Sequence, residues 1–164
     1  MSVLTAPDNY CNYTLKCTPM FHKDYKEFIE LLIQKKVEYL VVGGHAVIAN
    51  GYIRSTNDLD IWFRAEANNV NLILDCLKDF GLGSLNISPD HLLLKGKIIQ
   101  LGVAPVRIDL VNEIDGVEFD ECYTNRFTKE VYGMQVDFLN HDDLIKNKKA
   151  SGRNKDLNDI ENLP

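Results

Sequence analysis

Two aspartates separated by one residue, Asp58 and Asp60, follow a Gly43-Gly44 pair after thirteen intervening residues. Side chains two positions apart in a strand lie on the same face, so both carboxylates are expected on one side. A third aspartate, Asp109, lies in a second strand-like segment and can join the pair. Mg²⁺ prefers one or two carboxylates together with substrate phosphates. The spacing therefore indicates a site for a divalent metal and a nucleoside triphosphate.

The glycine pair, Gly43 and Gly44, lies between a predicted buried strand and a predicted short helix. Glycines let the backbone approach a ligand closely and leave helix amide groups open to phosphate oxygens. A tight strand-to-helix connection explains two glycines equally well. A salt bridge to Arg54, Arg64 or Arg107 likewise explains the aspartate pair taken alone. The combination of the glycines with three aspartates favours the metal.

Five basic residues and no acidic residue occur between positions 146 and 155. Three of them, Lys149, Arg153 and Lys155, are candidates for contacts to phosphate groups. A solvated helix face with cations near a helix C-terminus is an equally good explanation of the cluster. His45, Trp62 and Cys76, which lie near these motifs or within helical patterns, are interpreted as packing residues.

The composition sets the broad class of the protein. The chain has 164 residues, enough for one domain with a real core, and 45 % of them are hydrophobic. The net charge of −6 argues against a general nucleic-acid binder. No apolar segment approaches the roughly 20 residues that a membrane span needs, and the N-terminus lacks a signal-peptide pattern, so we expect a cytoplasmic location. The four cysteines are scattered, which indicates reduced thiols.

The predicted element order is α-β-α-β-α-β-β-β-β-α-α, an α/β or α+β domain with a mixed sheet. The predicted helices cover residues 18–36, 45–50, 70–77, 140–145 and 154–164, with a short one near 119–123. The predicted strands cover residues 38–42, 58–64, 97–101, 106–111, 127–132 and 134–138. Residues 1–17 are expected to form an N-terminal arm, and residues 18–164 a single domain. Within this domain, 37–112 form the core around the aspartates, and 127–164 a C-terminal hairpin and helices.

The glycine and aspartate motifs together resemble a known superfamily. Val-Gly-Gly at 42–44, the thirteen-residue gap and Asp-Leu-Asp-Ile at 58–61 are similar to the signature of DNA polymerase beta-type nucleotidyltransferases. Asp109, between Ile108 and Leu110, matches the third carboxylate of that superfamily. The resemblance implies a minimal nucleotidyltransferase fold, a mixed β-sheet flanked by helices.

Further segments resemble small prokaryotic nucleotidyltransferases related to abortive-infection toxins. They are Gly-His-Ala at 44–46, Arg-Ser-Thr-Asn-Asp-Leu-Asp-Ile-Trp at 54–62, and Lys-Lys-Ala-Ser-Gly-Arg-Asn-Lys-Asp-Leu-Asn-Asp-Ile at 148–160. The minimal nucleotidyltransferase antitoxins are less similar, because they have serine where this chain has Gly44. Thr56 or backbone amides would therefore take the place of the serine contact to phosphate.

The resemblance implies transfer of a nucleoside monophosphate from a nucleoside triphosphate, with Mg²⁺ or Mn²⁺ as cofactor. Asp58 and Asp60 would hold two ions, and Asp109 the one that activates the acceptor hydroxyl. Gly43 and Gly44 would seat the β- and γ-phosphates.

The acceptor implied by the resemblance is RNA, such as tRNA, or protein. An antitoxin or an oligomeric partner is expected, within a toxin–antitoxin or phage-defence system. Two alternatives stay open: an antitoxin or regulator that adenylylates a protein, and a catalytically silent domain that binds nucleotide.

Overall fold

A mixed sheet of six strands forms the centre of the structure, a computed structural model that describes residues 21–103 and 105–164. The strands are β1 (Tyr39–Val42), β2 (Asp58–Phe63), β3 (Ile98–Val103), β4 (Val106–Val111), β5 (Phe127–Val131) and β6 (Met134–Phe138). Their order across the sheet is β3-β4-β2-β1-β6-β5. All six predicted strands are present, and the predicted α/β (α+β) fold with a mixed sheet flanked by helices is confirmed.

The sheet combines parallel and antiparallel pairs. Strand β2 runs parallel to β4 and antiparallel to β1, and β1 runs parallel to β6. The outer strands β3 and β5 pair antiparallel with β4 and β6. Strands β5 and β6 are joined by Tyr132 and Gly133, both at positive φ, as in the two-residue turns that suit a twisted hairpin.

Seven α-helices flank the sheet in the described part of the chain. They are α1 (Lys23–Gln34), α2 (Gly43–Ala49), α3 (Ala67–Leu77), α4 (Pro89–Leu93), α5 (Phe119–Thr124), α6 (His141–Ser151) and α7 (Asn154–Asn162). A π-helical turn (Lys78–Leu82) and a 3₁₀ turn (Gly83–Leu85) follow α3. Within these residues, no helix has both the length and the apolar character required to cross a bilayer.

The apolar stripe predicted for the first helix forms part of the core. Tyr25, Phe28, Ile29 and Leu32 of α1 are all buried. Their spacing of three and four residues places them on one face of the helix, which packs on the sheet. Cys76 is also buried, as predicted, and burial raises the pKa of its thiol to about 12.

Several helix boundaries differ from the prediction, and α2 begins at Gly43, so the two glycines predicted as a turn are its first two residues. Helix α1 begins at Lys23 with His22 as its N-cap. The predicted start of this helix at Thr18 and the predicted arm 1–17 lie outside the described residues. Helix α4 was predicted as loop, because five residues after Ser88 carry too little periodicity. Helix α6 extends to Ser151, six residues past the last apolar residue used to predict it. Its predicted N-cap, Asn140, is confirmed, since its side chain accepts a hydrogen bond from the Asp143 amide.

Candidate functional site

The three predicted aspartates lie together on one face of the sheet. Asp58 and Asp60 belong to β2, and Asp109 belongs to the parallel neighbour β4, where it pairs in register with Asp60. One carboxylate oxygen from each residue lies within 4.8 Å of the other two. Asp109 is buried, whereas Asp58 and Asp60 are partly exposed. We call these three residues the carboxylate cluster.

Burial and the neighbouring carboxylates make Asp60 costly to ionise. Burial raises the pKa of Asp60 to about 6, and the negative charges of Asp58 and Asp109 add to the shift. The positive charge of Lys155 opposes it. Three carboxylates at this separation repel one another unless cations lie nearby, so the cluster favours the approach of a cation.

One arginine supplies part of the neutralising charge. Arg107 Nη2 donates to Asp58 Oδ2 at 2.7 Å and to Asp109 Oδ2 at 3.0 Å, and its Nε donates to Asp109 Oδ1 at 2.8 Å. The register explains these contacts, because Arg107 pairs with Asp58 across β2 and β4. The expected salt bridge is therefore present for Arg107.

The other two arginines named in the sequence have different partners. Arg54 forms an ion pair with Asp159, and Arg64 forms ion pairs with Glu38 and Asp120. Arg64 also lies over the ring of Phe119, 5.1 Å from its centroid. Neither pairing involves the carboxylate cluster.

The glycine pair lies against the aspartates, as the spacing predicted. Val42 pairs with Asp60 across β1 and β2, so the next residue, Gly43, reaches the Asp60 side chain at a φ of 61°. A Cβ atom at Gly43 would overlap with Asp60 Oδ2, and one at Gly44 would overlap with Thr56 Oγ1. Thr56 Oγ1 in turn donates to Asp58 Oδ1 at 3.2 Å. Only glycine at both positions leaves room for the side chains of Asp60 and Thr56.

The three basic candidates differ in their surroundings. Arg153 donates to Asp156 Oδ2 at 2.6 Å, and its pKa is raised by this hydrogen bond and, more weakly, by the charge of Asp60. Lys155 is exposed, and its charge lowers the pKa of Asp60. Lys149 is exposed in the last turn of α6 and forms no ion pair with the described residues. The structure thus places the charges of Arg153 and Lys155 near the cluster, but gives no such link for Lys149.

The basic cluster at 146–155 is less positive at its surface than the sequence suggested. Lys148 is only 2 % exposed, and its Nζ lies 2.9 Å from Asp156 Oδ1 and 2.7 Å from Asp159 Oδ2. Arg54 completes this buried network, with Nε 2.6 Å from Asp159 Oδ1. A sequence signal was present, because Asp156 and Asp159 are spaced to share one face of α7. We call Lys148, Asp156, Asp159 and Arg54 the buried ion network.

His45 and Trp62 are packing residues, as interpreted. Burial lowers the pKa of His45 to about 4, and no described residue pairs with either ring nitrogen. Its ring lies edge-on to Phe21, with centroids 5.0 Å apart. Trp62 is fully buried on the face that carries the aspartates, where it contacts Phe119 edge-on at 5.1 Å.

A separate cleft of about 540 Å³ lies beyond the C-terminal ends of β2 and β4. Its lining contains six carboxylates and two cations, namely Glu66, Glu113, Asp115, Glu118, Asp120 and Glu121 with Arg64 and Lys95. This excess of negative charge repels phosphate groups. The cleft is therefore a poor site for a triphosphate.

A match to one protein family covers almost the whole described chain. Residues 22–163 match the family described as "Nucleotidyltransferase of unknown function (DUF6036)". The matched region includes the carboxylate cluster, the glycine pair and the buried ion network. Among curated proteins, none matches the chain.

Proposed function

The chain belongs to this family of nucleotidyltransferases, and we propose that it transfers a nucleoside monophosphate from a nucleoside triphosphate to an acceptor hydroxyl. The reaction would depend on Mg²⁺ or Mn²⁺. The observation that carries this proposal is the convergence of three carboxylates within 4.8 Å, directly beside the Gly43-Gly44 turn.

The residues of the carboxylate cluster fit a hard divalent ion. Their donor atoms are all carboxylate oxygens, which Mg²⁺ and Mn²⁺ prefer. The raised pKa of Asp60 supports this assignment, because a cation held by Asp58, Asp60 and Asp109 would relieve the repulsion among them. When bound, the metal would stabilise negative charge on the phosphoryl oxygens and lower the pKa of the acceptor hydroxyl.

The chain's own residues would bind the triphosphate and move the proton. Gly43 and Gly44, which have no side chains of their own, would let phosphate oxygens approach the backbone beside Asp60 and Thr56, with Lys155 neutralising charge. The acceptor oxygen would bond to the α-phosphorus as the bond to the bridging oxygen breaks and pyrophosphate leaves. The hydroxyl proton would pass to a carboxylate oxygen of Asp109.

We propose an RNA end, such as that of tRNA, as the acceptor. The charges of Lys155 and Arg153 act on Asp60, and exposed Lys149 precedes them in the same segment, so these cations suit the phosphate groups of an RNA end. The resemblance to abortive-infection nucleotidyltransferases supports a role in a toxin–antitoxin or phage-defence system, with an antitoxin or a second copy as partner.

Label transfer tests the proposal. The protein is incubated with Mg²⁺, a cell extract and each nucleoside triphosphate in turn, labelled on the α-phosphate. We expect label in RNA, and no label from a γ-labelled nucleotide. Label in protein instead would indicate the adenylylating alternative. Nucleotide binding without any transfer would support the catalytically silent alternative.

Two variants test the site itself. Asp58→Ala and Asp60→Ala are each expected to abolish transfer, with folding followed by circular dichroism. Transfer that persists in both folded variants would show that the chemistry occurs elsewhere.

A further inference from the structure

We propose that Arg107 is a positioning residue that takes the place of the metal's charge in the metal-free protein and turns to the triphosphate when the metal binds. This inference rests on the proposed function, since it concerns the same carboxylate cluster. Arg107 would therefore weaken the binding of metal alone and strengthen the binding of triphosphate.

The hydrogen bonds of Arg107 support the first half of this inference. Its guanidinium bridges Asp58 and Asp109, two of the three carboxylates, through contacts of 2.7 to 3.0 Å. These pairs span neighbouring strands, so one side chain holds the ends of β2 and β4 in a fixed relation. Within the described residues, the ion pairs of Arg107 leave out Asp60.

The charges make the two cations competitors. An arginine does not lose its proton in proteins, so Arg107 carries its charge whether or not a metal is present. A divalent ion held by Asp58 and Asp109 would lie close to the guanidinium, and like charges at such a distance repel. Because deprotonation is excluded, the repulsion is relieved only by movement of the side chain.

The surroundings of Arg107 allow this movement without a change of the strand. The side chain is 31 % exposed, so it has solvent on one side. Its backbone is held, because the Arg107 amide donates to the Tyr25 hydroxyl at 3.1 Å. Tyr25 also donates to the carbonyl oxygens of Asn57 and Pro105. These contacts fix the strand ends and leave the guanidinium as the mobile part.

The released guanidinium has a suitable partner in the triphosphate. Arginine binds phosphate oxygens through two parallel hydrogen bonds, the same geometry that it uses with Asp109. The triphosphate seat proposed at Gly43 and Gly44 lies against Asp60, and Arg107 contacts the other two members of the same cluster. If Arg107 exchanged its carboxylate partners for phosphate oxygens, its positive charge would remain paired.

Calorimetric titrations of Arg107→Gln test both halves. In the first titration, Mn²⁺ is added without nucleotide; in the second, inorganic tripolyphosphate is added in saturating Mg²⁺. The matched control is Arg126→Gln, which removes the same charge from an ion pair of 2.9 Å with Asp137 at the opposite edge of the sheet. Arg107→Lys keeps the charge.

We expect Arg107→Gln to bind Mn²⁺ about fivefold more tightly than the wild type and tripolyphosphate about fivefold more weakly. Arg126→Gln should leave both affinities unchanged, and Arg107→Lys should stay within about twofold of wild type for Mn²⁺. A purely structural role would weaken both affinities together, so the opposite signs identify the proposed role.

Two failures are distinguishable. If the wild type binds Mn²⁺ and Arg107→Gln binds it equally or more weakly, the inference about Arg107 is wrong while the metal site stands. If no variant binds Mn²⁺, the inference and the metal dependence of the proposed function both fail.

Discussion

The carboxylate cluster with its partner Arg107 and the buried ion network both consist of aspartates and basic side chains, but they differ in burial and in charge balance. In the network, Lys148, Asp156 and Asp159 are almost fully buried, and every charge has a partner of opposite sign. In the cluster, Arg107 pairs with Asp58 and Asp109 but not with Asp60, and Asp58 and Asp60 are partly exposed. Removal of one partner from a buried, balanced network destabilises the fold, because it leaves the other charge buried and unpaired, whereas partly exposed and unbalanced charges are typical of a functional site.

The carboxylate cluster and the buried ion network lie next to each other, so substitutions in the two regions can be compared directly. Arg54 of the network adjoins the site, because a Cβ atom at Gly44 would lie 3.3 Å from its Nη1. The network joins Arg54, which precedes β2, to the α6–α7 segment that carries Arg153 and Lys155. We therefore expect substitutions in the network to change stability, and substitutions in the cluster to change activity.

The largest expected effect is loss of transfer in Asp58→Asn. Loss of residues that only support metal ligands already costs about 10- to 100-fold in activity or affinity, so loss of a ligand should cost more than about 100-fold. The free energy of unfolding should change by less than about 1 kcal/mol, because the substitution removes both repulsion within the cluster and the partly exposed ion pair with Arg107. Transfer of α-phosphate label and urea denaturation measure the two quantities. Activity within tenfold of wild type would place the metal elsewhere.

Lys148→Met should have the opposite pattern. The substitution leaves Asp156 and Asp159 buried with too little positive charge, which is expected to lower the free energy of unfolding by about 3–5 kcal/mol. Lys149→Met, one residue along the chain and exposed, is the matched control and should change it by less than about 0.5 kcal/mol. Equal stability of the two variants in urea denaturation would show that the network is not a structural element.

His45 links the two regions, since Asp58 and Arg54 both act on its pKa. Burial lowers that pKa from 6.5 in the unfolded chain to about 4, so the unfolded state binds a proton that the folded state does not. Stability attributable to His45 should therefore fall as the pH drops from 6.5 to 4, by up to roughly 3 kcal/mol.

The His45→Gln variant isolates this contribution. The difference in unfolding free energy between wild type and variant should shrink or reverse towards pH 4, whereas the exposed His91→Gln should show no such change. A constant difference from pH 7 to pH 4 would show that His45 is protonated as easily in the folded protein as in the unfolded chain.

The smallest expected effect concerns the glycine turn. Gly43→Ala places a methyl group on the Asp60 carboxylate at a positive φ, and should lower transfer about tenfold and stability by about 1–2 kcal/mol. Gly133→Ala shares the positive φ but meets no atom within 4 Å, so it should lower stability alone. Equal transfer by the two variants would separate the glycine turn from the active site.

The sequence predicted the sheet and the carboxylate cluster because both depend on local patterns. Alternation along β2 places Asp58 and Asp60 on one face whatever the rest of the chain does. That Asp109 joins them depends on β4 pairing with β2, which the residues alone allowed but did not require. The prediction that Asp109 joins Asp58 and Asp60 came from the resemblance to polymerase beta-type enzymes.

The other features depend on tertiary contacts and were not predictable in the same way. The partner of the aspartates could have been any of three arginines, and the β2–β4 register selects Arg107. The sequence pattern predicted Lys148 as a surface cation. In the structure, the packing of α6 on α7 encloses Lys148 between Asp156 and Asp159. Helix α6 was predicted too short because its second half, Lys-Asn-Lys-Lys-Ala-Ser, lacks an apolar period.

A crystal of the wild-type protein soaked in Mn²⁺ and inorganic tripolyphosphate tests the central claim most directly. Anomalous scattering locates the metal without reference to activity or acceptor. We predict a Mn²⁺ peak coordinated by Asp58, Asp60 and Asp109, with the tripolyphosphate extending towards Gly43 and Gly44. A metal bound only elsewhere, or a carboxylate cluster without metal and still paired with Arg107, would contradict it.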